Sequence, residues 1–151
     1  LSFREWNAVL LPSGKLLAMQ EPFGDSRFNV PFEITRERVY FSYSMDGGKT
    51  WSESMGSPFY GRACSFLVTS QGDLLFVGSP AFRPPHPPQT AISSDEGKTW
   101  KIVEDLPRWS TRSLYGGYYP NVIETQPGTF VAVGGGRPKP SAMTFTSFRL
   151  E

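Results

Sequence analysis

The sequence is poor in residues that cross-link a chain or hold a metal: it contains one cysteine, Cys64, and one histidine, His86. A single cysteine excludes an intrachain disulfide framework, and a single histidine removes nearly all zinc and paired-histidine metal sites. We therefore expect no metal and no cofactor. A chain without disulfides is compatible with the inside or the outside of a cell, so the sequence does not predict a cellular compartment.

Long runs of one charge and long apolar runs are also missing. Fifteen Lys and Arg residues against fourteen Asp and Glu residues give a formal net charge of +1, without a basic stretch for nucleic-acid phosphates. The longest apolar runs, such as residues 8–11 and 74–77, are far shorter than the ~20 residues that span a bilayer. We expect neither a nucleic-acid partner nor a membrane segment. The start at Leu1, with no leader pattern, is compatible with a fragment.

Aromatic residues, by contrast, are abundant. They make up 15% of the 151 residues, whereas chains that stay disordered are poor in aromatics and rich in charge. The length corresponds to one domain, and a hydrophobic content of 38% is enough for a core. The chain is therefore expected to fold around packed rings.

An eight-residue motif with the pattern S-x-D-x-G-K-T-W occurs twice. We call residues 44–51 (SMDGGKTW) the first box and residues 93–100 (SSDEGKTW) the second box; their tryptophans are 49 positions apart. The defined positions are Ser44, Asp46, Gly48, Thr50 and Trp51 in the first box, and Ser93, Asp95, Gly97, Thr99 and Trp100 in the second. A repeat of roughly 50 residues is typical of propeller blades rather than of helical solenoids.

A second, weaker repeat divides the whole chain into three units. Two apolar segments flank a glycine turn at Gly14, at Gly72 and at Gly128, with spacings of 58 and 56 residues. We therefore predict one propeller segment with blades at residues 1–60, 61–110 and 111–151.

The local pattern predicts an all-β fold. The apolar segments are short, are bounded by Pro, Gly and Ser, and show no helical periodicity over a dozen residues. Each unit is interpreted as a four-stranded antiparallel meander: an inner strand, a glycine turn, a second strand, an excursion, a third strand that runs into the box, and an outer strand after the tryptophan. The excursions at residues 21–36 and 80–88 are predicted to be loops, the second because it is dense in proline.

The boxes are predicted to be structural turns. The aspartate accepts hydrogen bonds within the turn, the glycine allows positive φ, the threonine hydroxyl closes the loop, and the tryptophan fills the gap between neighbouring sheets. Calcium binding is the alternative, but an EF-hand-like site needs several more carboxylates than one aspartate per box.

The two boxes resemble the Asp-box (BNR) repeats of the sialidase superfamily, which is built on six-bladed β-propellers. The order of segments resembles the C-terminal three blades of a sialidase, from residues 74–80 through the second box and 118–122 to 144–151. The resemblance implies about three blades, or half of a six-bladed propeller. It says less about activity, because Asp boxes lie at the blade periphery in that family and also occur in non-enzymes.

The resemblance also implies a catalytic pair. In the family, the inner strand of the last blade opens with a tyrosine nucleophile, and an inner strand two blades earlier opens with the glutamate that activates it. Tyr119 lies nine residues before Gly128, and Glu5 lies nine before Gly14. A tyrosine suits an anionic sugar acid, because it stays neutral until a base takes its proton. Ordinary roles, an aromatic in a sheet and a solvated carboxylate, remain open for the two residues.

Sialidases hold the substrate carboxylate with three arginines, because bidentate guanidinium contacts fix a planar anion. Arg83 in the proline-rich loop and Arg62 at the start of an inner strand are the candidates in this chain. On the second strand after Glu5, where the family has an arginine, the chain has Gln20 and Glu21. The third arginine and the catalytic aspartic acid belong to blades that this sequence does not contain.

The sequence thus predicts a sialidase-like propeller that hydrolyses or binds a sialic-acid-type sugar. The alternatives are a non-catalytic Asp-box propeller that binds a ligand or a protein, and a glycoside hydrolase of another substrate class that uses a carboxylate pair. A propeller closes radially to remove its sheet edges. The expected partners are therefore a glycan or sugar acid and either further blades of the same chain or a second copy.

Overall fold

A computed structural model describes residues 2–23, 38–60, 62–79, 89–103, 121–135 and 143–150. These residues form three antiparallel sheets that follow one another along the chain. The first sheet contains β1 (Ser2–Leu10), β2 (Leu16–Phe23), β3 (Arg38–Ser44) and β4 (Met55–Tyr60). The second contains β5 (Arg62–Val68), β6 (Leu74–Ser79), β7 (Gln89–Ser93) and β8 (Lys101–Ile102). The third contains β9 (Asn121–Gln126), β10 (Thr129–Gly135) and β11 (Met143–Arg149).

The predicted all-β fold with about three propeller blades is confirmed. In each sheet the strands pair in sequence order, so each sheet is a meander. The first strand of each sheet lies beside that of the next, since β1 contacts β5 and β5 contacts β9. Three sheets stacked through their first strands have the radial arrangement of propeller blades. In the described part of the chain, no helix is long and apolar enough to cross a membrane.

One predicted boundary is wrong. The strand β2 continues to Phe23, whereas the excursion was expected to begin at residue 21, because pairing with β1 persists from Leu16↔Leu10 to Phe23↔Ser2. The rest of that excursion, residues 24–36, and the proline-rich excursion at residues 80–88 lie outside the described residues.

Two apolar layers hold the sheets together, and strand alternation explains both. The faces of a strand alternate with a period of two, so Leu74 and Phe76 point toward the first sheet while Leu75 and Val77 point toward the third. All four side chains are fully buried. The middle sheet is therefore apolar on both faces, and each large side chain contributes about 1.5–3 kcal/mol by leaving water.

Candidate functional site

The inner strands β1, β5 and β9 define the region where the predicted catalytic residues belong. A hydrogen bond from the backbone N–H of Val122 to the Ser65 hydroxyl, 3.2 Å long, ties β9 to β5. Val122 is three residues after Tyr119, and Ser65 is three residues after Arg62. Val122 lies six residues before Gly128 and Ser65 lies seven residues before Gly72, so the two bonded positions differ by one residue in the count from the turn glycines.

Strand pairing is interrupted near the start of both four-stranded sheets. In β1 the partners are Arg4↔Glu21 and Trp6↔Gln20, which leaves Glu5 without an opposite residue. In β5 the interruption falls between Arg62 and Ser65. Such β-bulges redirect side chains and are frequent beside active sites.

The predicted site residues are described to different extents. Glu5 lies on β1 at the bulge, and Arg62 is the first residue of β5. Tyr119 and Arg83 lie outside the described residues. The structure therefore brings the strands of Glu5 and Arg62 side by side, and the roles of all four residues remain predictions.

Gln20 has a different role from the arginine that the resemblance implies at this point of the second strand. Its side chain is only 5% exposed. The Gln20 amide N–H donates to the Ser42 hydroxyl at 3.0 Å, and the Ser54 hydroxyl donates to the Gln20 carbonyl at 2.9 Å. The two serine hydroxyls are 3.2 Å apart. Gln20 is thus part of a buried polar network in the first sheet, and its amide finds its hydrogen-bond partners within the blade.

The first box forms a turn whose polar groups pair with one another. The Ser44 hydroxyl donates to Asp46 at 2.8 Å and accepts from the Gly48 N–H at 2.8 Å. Asp46 also accepts from the Thr50 N–H at 2.9 Å and from its hydroxyl at 2.6 Å. The Trp51 indole N–H donates to the Gly48 carbonyl at 3.0 Å. These bonds occupy both carboxylate oxygens, so this aspartate is engaged in the turn itself.

The second box repeats this geometry. The Ser93 hydroxyl donates to Asp95 and accepts from Gly97, both at 2.8 Å. Asp95 accepts from the N–H and the hydroxyl of Thr99 at 2.8 and 2.6 Å, and the Trp100 N–H donates to Gly97 at 3.0 Å. Among the described residues, no group of three or more His, Cys, Asp or Glu side chains is arranged to hold a metal ion.

The two tryptophans differ in their surroundings although their turns match. Trp100 lies between the first two sheets, with its ring centroid 5.5 Å from that of Phe41 and 5.8 Å from that of Phe66. Trp51 is 42% exposed. The prediction that both tryptophans fill a gap between sheets is therefore wrong for Trp51, because no neighbouring sheet lies on its face among the residues that the structure describes.

Glu96 joins the second box to the first blade, a role that the motif does not reveal because this position is variable. Its carboxylate accepts from the Ser13 N–H at 2.8 Å and lies 3.7 Å from the Lys15 ammonium. Its carbonyl accepts from the Tyr43 hydroxyl at 3.0 Å. Glu96 has φ of 60°, where the first box has Gly47. Positive φ is costly for a residue with a Cβ, and these contacts between blades compensate for it.

The contacts at this junction shift the pKa values of Glu96 and Tyr43 in opposite directions. Hydrogen bonds from Ser13, with smaller effects of the cations, lower the pKa of Glu96. Partial burial, together with the negative charges of Asp95 and Glu96, raises the pKa of the Tyr43 hydroxyl. The phenol therefore stays protonated and donates its hydrogen bond across the blade boundary.

A groove of about 750 Å³ opens beside this junction. It lies between the outer strands of the first sheet and the second box, and its described lining is Lys15, Phe41, Tyr43, Met45, residues 55–58 and residues 96–100. The sequence did not indicate this groove, because its walls come from two blades and from no single motif. Trp100 lines this groove, and its ring also packs against Phe41 and Phe66.

The hydrogen bonds of the boxes predict an acid-dependent stability. Bonds from Thr50 lower the pKa of Asp46 to about 2, and bonds from Thr99 lower the pKa of Asp95 to about 2, from an ordinary value of 3.8. A lowered folded-state pKa contributes stability that is present above pH 4 and is lost as the pH falls toward 2. We expect the thermal midpoint of the wild type to fall between pH 4 and pH 2. The double variant Asp46→Asn/Asp95→Asn should start a few degrees lower at neutral pH and lose less over this interval.

Circular dichroism melts at half-unit pH steps measure this difference. Glu53→Gln, a change at an exposed carboxylate just after the first box, is the control and should follow the wild-type profile. A double variant whose midpoint falls as steeply as that of the wild type below pH 4 would show that the boxes do not carry the acid dependence.

Solved structures of similar fold include several sugar-hydrolysing enzymes. No protein-family model and no curated protein sequence matches the chain. A protein of unknown function from Dyadobacter fermentans matches with a TM-score of 0.70 and 16% identity over 99% of this chain and 39% of its own. The α-L-arabinanase of Penicillium chrysogenum, solved with arabinobiose, matches with a TM-score of 0.62 and 16% identity over 96% of this chain and 45% of its own. A Hadza microbial sialidase matches with a TM-score of 0.56 and 18% identity over 90% of this chain and 29% of its own.

These likenesses establish the fold class, an all-β propeller segment of about three blades. The chain spans less than half the length of each of these three proteins. Identities of 16–18% do not carry a substrate from one protein to another.

Proposed function

We propose that this chain is the glycan-acting part of a β-propeller and that it hydrolyses a sialic-acid-type sugar. In this proposal Glu5 takes the proton of the Tyr119 hydroxyl, and the phenolate oxygen attacks the anomeric carbon as the leaving group departs. Water then releases the sugar from the tyrosine. Arg83 and Arg62 hold the substrate carboxylate through their guanidinium groups.

The observation that carries the proposal is the position of Glu5. It lies at the bulge of an inner strand, nine residues before the turn glycine, and the strand of Arg62 is bulged near its start as well. Tyr119 has the same spacing to its own turn glycine. The solved structures of similar fold include a sialidase and an arabinanase, which supports action on sugars in general.

An assay with a fluorogenic aryl sialoside tests the proposal. An aryl leaving group departs without general-acid help, so the assay does not depend on the aspartic acid that the sialidase resemblance places in N-terminal blades. We expect turnover by the wild type, and losses of at least about 100-fold in Tyr119→Phe and in Glu5→Gln. Tyr118→Phe is the matched control and should retain wild-type turnover. Absence of turnover in the folded wild type would refute the sialidase proposal for this chain.

A non-catalytic sugar-binding module is the second candidate. The buried network of Gln20 with Ser42 and Ser54 favours this candidate, because Gln20 stands where the sialidase resemblance implies an arginine. Saturation-transfer NMR with sialyllactose and with arabinobiose, beside aryl sialoside and arabinoside assays, separates the cases. Binding without turnover supports the module, whereas turnover of the arabinoside alone supports a hydrolase of another substrate class.

A further inference from the structure

One face of the first sheet carries apolar residues at positions that contact another blade in the second sheet, and no other sheet among the described residues lies against it. Counting from the turn glycines, Ala8, Leu10 and Leu16 correspond to Phe66, Val68 and Leu74 of the second sheet, and Trp51 corresponds to Trp100. All four of these second-sheet residues pack in the layer against the first sheet. We call Ala8, Leu10, Leu16 and Trp51 the front face.

The front face is open to solvent in part: Leu16 is half-buried, and Ala18, Gln20 and Ser42 on the same side of the sheet are buried. Leu10 is 63% exposed and Trp51 is 42% exposed, and Ala8 is exposed as well. Phe66 and Leu74, at corresponding positions of the second sheet, are buried. The same strand geometry and box therefore place apolar side chains at corresponding positions in both blades, but within the described residues only the second blade has a neighbouring sheet on this side.

The third sheet presents the opposite partner surface. Ile123, Val131 and Val133 correspond to Leu67, Leu75 and Val77, which face the third sheet from the second. We call Ile123, Val131 and Val133 the back face. Ile123 is 56% exposed, whereas its counterpart Leu67 is half-buried. Val131 and Val133 are half-buried, whereas their counterparts Leu75 and Val77 are fully buried.

Both contacts between sheets in this chain join a front face to a back face. The second sheet offers its front to the first sheet and its back to the third. A free front at one end and a free back at the other are thus complementary by the same rule. Head-to-tail contacts of this kind either close into a ring or continue as an open chain.

We propose that the occupant of the front face is the back face of a second copy of this chain, and the reverse. Two copies related by a two-fold axis then form one closed ring of about six blades, within the four to eight blades of known propellers. The inner strands β1, β5 and β9 of both copies surround one central cavity. Tyr119 and Glu5 of the proposed function would lie around that cavity twice, but the ring itself forms whether or not the chain has catalytic activity.

Analytical ultracentrifugation of the full 151-residue chain tests this arrangement. We expect a discrete species of twice 16.9 kDa. Leu10→Asp and Ile123→Asp each place a charge in an apolar contact, which should weaken one contact by at least about 30-fold. Because the ring contains two identical contacts, each single variant should weaken the dimer by about 1,000-fold in total and run as a monomer.

Ile102→Asp is the matched control, since Ile102 is an isoleucine that is 40% exposed on the outer strand of the middle blade. It should remain a dimer. If an aspartate variant is unfolded by circular dichroism, Leu10→Thr and Ile123→Thr replace it, because threonine suits a strand and still removes apolar surface. A wild type that stays monomeric at its highest soluble concentration would overturn the proposal. An open-ended series of larger species, or a dimer that persists in the folded front-face and back-face variants, would also overturn it.

Discussion

Replacement of Trp100 by alanine is expected to lower the free energy of unfolding by about 3 kcal/mol. The ring lies between the first two sheets and stacks on Phe41 at an interplanar angle of 18°, and the ring of Phe66 packs beside both, 5.8 Å from Trp100 and 5.6 Å from Phe41. Its removal leaves a cavity that two separate blades border, and neither blade can collapse into it without moving the other. Urea unfolding followed by far-UV circular dichroism measures the loss.

Trp51→Ala is the matched control for this prediction. Trp51 and Trp100 make the same indole hydrogen bond to the glycine of their boxes, at 3.0 Å in each case. The difference between the two variants therefore reports the packing of the ring between sheets. Because Trp51 belongs to the front face, both variants are to be compared in the Leu10→Asp background, where the chain is expected to be monomeric. Equal losses in the two variants would contradict the assigned role of Trp100.

Replacement of Gly97 by alanine is expected to lower the free energy of unfolding by about 3 kcal/mol. Gly48→Ala is expected to lower it by about half as much, because only the backbone strain applies there. Gly97 has φ of +86° and Gly48 has φ of +91°, so a Cβ strains the backbone at both positions. At Gly97 the new Cβ would also lie 2.8 Å from the Tyr43 hydroxyl oxygen, whereas at Gly48 it would lie 3.6 Å from the Leu16 side chain, at ordinary contact distance. Gly97→Ala thus disturbs the contact between blades as well as the turn.

A double-mutant cycle isolates this second effect. Tyr43→Phe removes the hydroxyl that the new Cβ would meet and also the bond to the Glu96 carbonyl. In the Tyr43→Phe background, Gly97→Ala should cost about as much as Gly48→Ala in the wild type. If Gly97→Ala is no more costly than Gly48→Ala in the wild-type background, the close approach of Tyr43 has no energetic consequence.

The repeat was the most informative feature of the sequence. Apolar segments around Gly14, Gly72 and Gly128 predicted three strand-rich units, and the structure has three consecutive meanders. This prediction succeeded because a glycine turn between two short apolar segments is a local signal that depends little on the rest of the fold. The end of β2 was less predictable, because residues 21–23 owe their strand conformation to pairing with β1.

The candidate site was predictable only in part. The spacing to Gly14 placed Glu5 on an inner strand, where the structure has a bulge. The burial of Gln20 was not predictable, because its partners Ser42 and Ser54 come from elsewhere in the sheet and carry no motif of their own. The junction at Glu96 was missed for the same reason, since Ser13 is 83 residues away in the sequence.

By itself, the sequence determined the all-β class, the number of units and the composition of the two boxes, because these depend on residues close together along the chain. The tertiary structure alone decided which copy of a repeated residue is covered. Trp51 and Trp100 occupy identical motif positions, yet one is 42% exposed and the other lies between two sheets. The physical reason is that burial depends on the neighbouring blade, and a motif contains no information about which blade lies beside it.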